Sequence, residues 1–227
     1  MTEVADRLTE PFEPGIPRPE VELSVLGVEP RARAAVPTLV FSLEATDASG
    51  LEIYTIALTA KILTEPARRA YDDSTRELLA ELFGTPERWG STTENVVWAQ
   101  VDVLVPSFAG STTFELPVLC NYDLELAATK YLYSLPDGEA PLVLHFTGSV
   151  FYRGEQDRLQ VVKVPWSCNV GYRLPVEVWR SMMREHYPGG GWIRVRDETL
   201  DRLQRRKAAR GLATFDDAVA ELLEEAE

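Results

Sequence analysis

The chain is 227 residues long, 45% hydrophobic and 26% charged, enough apolar material for one large domain or two small ones; wholesale disorder, collagen and a disulfide-stapled miniprotein are excluded. A formal net charge of −13 sets the surface as a whole against polyphosphates and anionic lipid at long range. Two cysteines, Cys120 and Cys168, and two histidines, His145 and His186, bound the metal and nucleophile chemistry that the chain can offer.

The first residues, Met1 to Arg7, mix charges and have no apolar run behind them, which predicts no secretory leader. No apolar stretch approaches the ~20 residues a bilayer span requires. A cytosolic protein with two reduced thiols and no membrane association is expected. Residues 1–20 carry Pro11, Pro14, Pro17 and Pro19 among acids and read as an extended arm. The period then changes to two. Val21, Leu23 and Val25 alternate with polar residues, as do Leu39, Phe41, Leu43 and Ala45, and then Ile56, Leu58, Ala60 and Ile62 after the Asp47–Gly50 turn. Short connections between these runs predict antiparallel pairing.

A helix is expected near 73–83, with Asp72 among the capping side chains, Leu78, Leu79, Leu82 and Phe83 as its stripe and Gly84 as its stop. Strand patterns resume at Val97–Val105 and at Phe114–Cys120. The stretch Asp123–Leu135 fits either a strand or a helix. Strands over Leu142–Val150 and Leu159–Trp166 follow the Pro136-Asp-Gly138 turn. The fold expected is mainly β with added α: an antiparallel β-sandwich or open barrel over 21–174 with one inserted helix, then a C-terminal helical region over 175–227.

In that last region Pro175 suits a first helical position, Val176, Trp179, Met183 and His186 recur at helical spacing, and Tyr187–Gly191 reads as a hinge. Beyond it the pattern predicts a strand over Trp192–Arg196, a helix capped by Asp197 and stopped by Gly211, and a second helix with Thr214 and Asp217 as a capping box. The segment IRVRDETLDRLQRRKAARGLATFDDAVAELL resembles the ribbon-helix-helix module of bacterial antitoxins and small repressors. In that family two chains pair their strands, and the ribbon enters the DNA major groove. The resemblance implies Trp192, Arg194 and Arg196 as the groove-facing residues and Thr214 as the phosphate-facing cap. Charge opposes it. Seven basic and nine acidic residues leave the tail at −2, where duplex affinity leans on phosphate neutralisation. The charge balance therefore favours a tail docked as a cap on the sandwich, with a solvated basic face at Arg202, Arg205, Arg206, Lys207 and Arg210.

Chemistry finds little purchase. A Cys120–His145 dyad would need neighbouring strands, and both residues alternate with apolar positions, as buried structural groups do. Cys120, Cys168, His145 and His186 could make a zinc set, but no two lie within four residues of each other. The acidic pairs Asp72/Asp73, Asp216/Asp217 and Glu224/Glu225 read as caps and solvated ends. Asp123 and Glu125 would share a strand face only if that segment were extended. Trp89, Trp98, Trp166, Trp179 and Trp192 flank element ends, where packing explains them. No catalytic, cofactor or metal residues are assigned.

Three blocks, RELLAELFGTPERW, LPVLCNYDLELAATKYLYSLPDGEAPLVLHFTGSVFY and RLPVEVWRSMMREHYP with the tail, together resemble an uncharacterised bacterial family often encoded beside nickel–iron hydrogenase genes. That resemblance implies an accessory protein acting on a protein partner. The leading expectation is a non-enzymatic interaction protein without cofactor, oligomeric or not; the alternative is a DNA-binding regulator using the tail.

Overall fold

A computed structural model of the chain describes residues 17–89, 93–120, 123, 126–154, 158–165, 168–190 and 193–226. Two antiparallel sheets face each other. The first orders β1 (Val21–Pro30), β2 (Thr38–Asp47) and β6 (Ser111–Leu119), with β2 in the middle. The second is built on the long strands β3 (Glu52–Thr64) and β7 (Glu139–Arg153), paired from Ile53↔Tyr152 to Thr64↔Leu142. Outside β3 lie β4 (Val96–Val105) and the two-residue β5 (Phe108–Ala109). Outside β7, β8 (Leu159–Lys163) pairs with its last residues and β9 (Asn169–Pro175) with its first. The margins meet: β4 lies along β6, and β1 along β9. No hydrogen-bonded ladder joins the two sheets among the described residues, so the fold is the open, two-layered antiparallel architecture that the strand pattern predicted and not a closed barrel.

Alternation decides which side chains enter the core. Leu39, Phe41, Leu43 and Ala45 of β2, with Phe114, Leu116 and Val118 of β6, face Ile56, Leu58, Ala60 and Ile62 of β3 and Leu142, Leu144, Phe146 and Val150 of β7. All are buried, and the residues between them on β3 and β7 are more exposed, so a slip of one residue would invert both faces. Phe41 holds the layers in register. Its ring meets Trp98 of β4 edge-on at 6.3 Å and Tyr172 of β9 edge-on at 5.7 Å, one from each margin of the opposite sheet.

The helices collect at the end of the sandwich where β3, β6 and β9 finish. α1 (Asp73–Phe83) runs between β3 and β4, α2 (Ala127–Ser134) between β6 and β7, and α3 (Val176–His186) follows β9. Two inserted helices therefore replace the one expected. In the ambiguous stretch the helical option wins because Ala128, Tyr131 and Leu132 all reach buried positions on one face. The strand option there falls away over 127–134; the Asp123/Glu125 pair rests on Glu125, which lies outside the described residues. Pro175 is the cap of α3 and not its first residue, because it also ends β9. α1 starts as expected, Asp72 accepting a hydrogen bond from the Thr75 amide at 2.7 Å, and stops at Gly84 with φ 75°.

A polar cluster fastens this end. Arg69 donates to the carbonyls of Glu139 at 2.9 Å and Asp137 at 2.8 Å, and its guanidinium lies 5.9 Å from the centre of the Tyr71 ring. The Tyr71 hydroxyl donates to the Pro66 carbonyl at 2.7 Å, so at 3.0 Å the Tyr131 hydroxyl is the donor to Tyr71. Burial first, and then the facing Tyr71, push the Tyr131 phenol well above its ordinary range. From α3, Arg180 donates to the carbonyls of Leu135 at 2.9 Å and Tyr133 at 2.8 Å, closing the C-terminal end of α2.

No helix among the described residues is long and apolar enough to cross a membrane. Beyond α3 come α4 (Asp197–Arg210) and α5 (Phe215–Glu224). The expected strand before α4 is not formed: residues 193–196 pair with nothing, although Arg196 keeps an extended backbone, and Trp192 lies outside the described residues. Alternation supplies a strand's faces but not its hydrogen-bond partner, which this chain does not bring to the segment.

Gly148 marks the tightest point in the sandwich. Opposite Leu58, with φ 155°, it leaves no room for a side chain: a Cβ there would sit 2.0 Å from the Ala57 carbonyl oxygen. Gly148→Ala should therefore cost at least about 2 kcal/mol by forcing β3 and β7 apart. A urea midpoint unchanged from that of the parent would refute this reading.

Candidate functional site

The cysteines and histidines do not gather at one point, although Cys168 directly precedes the Asn169 that pairs with His145. Cys120, 2% exposed, follows β6 directly, with its Sγ 3.5 Å from the Val118 carbonyl oxygen. Burial pushes its thiol up to about 12, against a smaller opposing effect from a backbone hydrogen bond at Leu39. His145 is in the other sheet, opposite Lys61 on the face turned away from the core, where its Nδ1 lies 2.5 Å from Asn169 Oδ1. The two sides of the conjectured dyad are thus on different layers. Cys168 is half-buried beside Leu23 of β1, and its thiol too is raised by burial. His186 ends α3. Among the described residues, no three His, Cys, Asp or Glu side chains gather as metal ligands would.

The tail is a different kind of surface. α4 ends at Gly211, whose φ of 68° lets the chain reverse, and the Leu212 amide donates back to the Lys207 carbonyl at 3.0 Å. α5 opens on the expected capping box: the Asp217 amide donates to Thr214 Oγ1 at 3.0 Å, and the Thr214 amide to Asp217 Oδ2 at 2.9 Å. The Thr214 side chain, and then its backbone, hold the Asp217 carboxyl below its usual range. Across the hairpin Arg206 reaches Glu225 at 2.8 Å and Glu221 at 3.4 Å, while Arg210 reaches Glu221 at 3.3 Å and Glu225 at 3.0 Å. Two of the five basic residues of the α4 cluster, Arg206 and Arg210, are therefore neutralised within the tail.

What the hairpin leaves outside is apolar. Ala218 is its single fully buried residue among those described, whereas Leu200, Phe215, Leu222 and Leu223 are 45%, 42%, 38% and 63% exposed and Ile193 is 70% exposed. None of these joins the sandwich core, whose apolar packing extends no further along the chain than Tyr187. The tail is therefore not the docked cap that its charge balance suggested. Its two helices pack on each other, with Lys207 Nζ 5.5 Å from the centre of the Phe215 ring. Arg194 and Arg196 are exposed and line, with Val195 and Asp197, a hollow of about 420 Å³ at the start of α4. Thr214 is committed to its own helix. A second exposed apolar group, Leu104, Leu159 and Val161, stands on the outer face of the larger sheet. Sequence patterning located the tail's apolar positions but could not show that they remain in solvent.

Two outcomes follow. At pH 8 a disulfide reagent should leave Cys120 unmodified until denaturant is added, with Cys168 reacting slowly in the native state; rapid release of two equivalents from native protein would contradict the burial. Because the Asp217 carboxyl is depressed, its contribution to α5 is full above about pH 4 and is lost as pH falls through the depressed value. Thr214→Ala should cost α5 about 1 kcal/mol and remove that acid-side transition in amide exchange; an unaltered acid limb would show that the box contributes nothing.

No curated protein matches this sequence. Among solved structures, a late embryogenesis abundant protein is 14% identical over 68% of this chain and 71% of its own, with a TM-score of 0.35. The CARDB domain of a Pyrococcus furiosus protein, solved in complex with di-metal ions, is 5% identical over 69% of this chain and 92% of its own, with a TM-score of 0.28. A β-glucosidase of Kluyveromyces marxianus is 6% identical over 68% of this chain but only 15% of its own, with a TM-score of 0.25. Likenesses this distant carry no functional argument. The sequence family is another matter: residues 18–227 match a single family model, and the chain belongs to the family of unknown function DUF6084.

Proposed function

We propose that this chain is a cytosolic, non-enzymatic accessory protein that works by presenting a surface to a protein partner. The observation that carries the reading is the tail's stripe of Leu200, Phe215, Leu222 and Leu223, exposed on a capped hairpin outside the sandwich core. Isolated surface leucines need no explanation, but several at helical spacing on one short hairpin leave apolar area that a partner's contact would remove from water. Ion pairs across the hairpin hold its two helices together, so the stripe is offered ready-made and little ordering is required on binding. The resemblance of the sequence to a family encoded beside nickel–iron hydrogenase genes supports a partner in hydrogenase maturation or assembly.

A second reading, a DNA-binding regulator, draws on the helix-turn-helix succession of α4 and α5 with exposed Arg194 and Arg196 ahead of it. It would require two copies to pair residues 192–196, and the charge of −13 weighs against duplex affinity.

One pair of experiments separates them. A tagged full-length protein should co-purify with a defined partner, and Leu222→Glu with Leu223→Glu should abolish the capture without altering the urea midpoint of the sandwich. Equal capture by both proteins, or by neither, would defeat the first reading. Retention of duplex DNA at low salt, lost in Arg194→Ala with Arg196→Ala, would install the second.

A further inference from the structure

The outer face of the larger sheet carries apolar side chains of its own. On β4 and β3 Leu104 stands opposite Ala57; one row further along, Phe151 of β7 stands opposite Val161 of β8, and Leu159 follows. Leu104, Val161 and Leu159 are each more than half exposed. Leu104 and Ala57 border, with Thr59 and Asp102, a hollow of about 410 Å³. A sheet with apolar residues on both faces ordinarily takes a packed layer on each. The row from Leu104 to Val161 crosses three strand spacings, about 14 Å. α5, at ten residues, is about 15 Å long, and along its axis Phe215 and Leu223 lie about 12 Å apart. The exposed stripe and the exposed patch therefore match in length.

Their charges are complementary as well. Residues 215–227 hold six acids and no base, and of these Asp216 and Glu224 flank the stripe. Around the patch Lys61, Lys163 and Arg153 stand against Asp102 and Glu52, an excess of positive charge in a chain at −13. The outer face of the smaller sheet presents Glu22, Glu29, Glu44 and Glu115 with only Arg31 in return, and repels such a helix. The tail leaves the sandwich at its helical end, whereas Phe151 stands eight residues, about 27 Å, along β7 from Val143 at that end. A second copy brings its stripe to the patch without drawing out the chain between α3 and α4.

We propose that the α5 stripe of one copy lies on the outer face of the larger sheet of a second copy, and reciprocally, so that the chain covers its own docking surface until a partner displaces it. This rests on the stripe being an interaction surface and names its occupant in the purified protein. Two such contacts related by a two-fold axis close a dimer.

Sedimentation equilibrium of the purified full-length chain should show a monomer passing to a dimer as concentration rises through the micromolar range. Leu222→Glu with Leu223→Glu, and separately Leu104→Glu with Val161→Glu, should each weaken the dimer at least about tenfold while leaving the urea midpoint at the parent value, since all four residues are exposed. An equal mixture of the two variants should associate more tightly than either alone, because the intact stripe of one meets the intact sheet of the other. A parent that stays monomeric, as an own-chain occupant would leave it, overturns the proposal. Undiminished association of the sheet variant would mean stripe on stripe, and of the tail variant sheet on sheet; either overturns it, as does a mixture no tighter than its components. Should the sheet variant not fold, Lys61→Glu with Lys163→Glu replaces it, and unchanged association then overturns the proposal. A monomeric parent that still captures a partner through the stripe rejects this contact alone, whereas a dimer that captures nothing rejects the partner and keeps the contact.

Discussion

The position of Phe41 between Trp98 and Tyr172 is the contact on which the rest of the architecture turns. β2 is the middle strand of the smaller sheet, and its one ring meets both margins of the larger one. A three-stranded layer thereby seals a wider one, and the seams at β1–β9 and β4–β6 close around it. Burial of this size, at about 25 cal/mol per Å² of apolar surface, is the dominant favourable term for such a chain, but the geometry of one aromatic decides how the two layers are aligned.

Body and tail are held by different balances of the same forces. In the body, beside ion pairs from Lys130 to Glu81 and from Arg69 to Asp137, α1, α2 and α3 are pinned by Arg69, Tyr71, Tyr131 and Arg180 through backbone carbonyls and phenols. Such bonds hold position without the salt sensitivity of surface ion pairs. The tail is built the other way. Its hairpin depends on Arg206 and Arg210 meeting Glu221 and Glu225, on caps, and on very little core. The body and the tail thus differ most in how much core each buries.

Much of this was legible in the residues. Parity assigned the inward faces of β2, β3 and β6 and of β4 from Ala99 onward, where a register shift turns Val97 out and Trp98 in, and Asp72, Gly84, Gly211 and Thr214 marked helix ends, because both signals are local and each has one physical cause. α2 was hidden by Leu124, Ala128, Tyr131 and Leu135 fitting two periods at once, and only the neighbours that bury Tyr131 choose between them. β9 escaped notice although Val170, Tyr172 and Leu174 alternate, its run being short and ended by Pro175. The segment 193–196 is unpaired within the single chain for the opposite reason: its pattern is clear, yet pairing is a non-local property. The same limit applies to the apolar stripe on α5, which looks identical in sequence whether covered or bare.

The far side of β7 is shared by two strands, β8 and β9, with an interruption between Lys163 and Asn169. An outer ladder broken in this way offers a stray chain no long, straight row of free amides and carbonyls to copy. A protein whose appendage exposes leucines to solvent carries an inherent risk of sticking to itself. The split border denies that stickiness one backbone template, along the β8 and β9 margin.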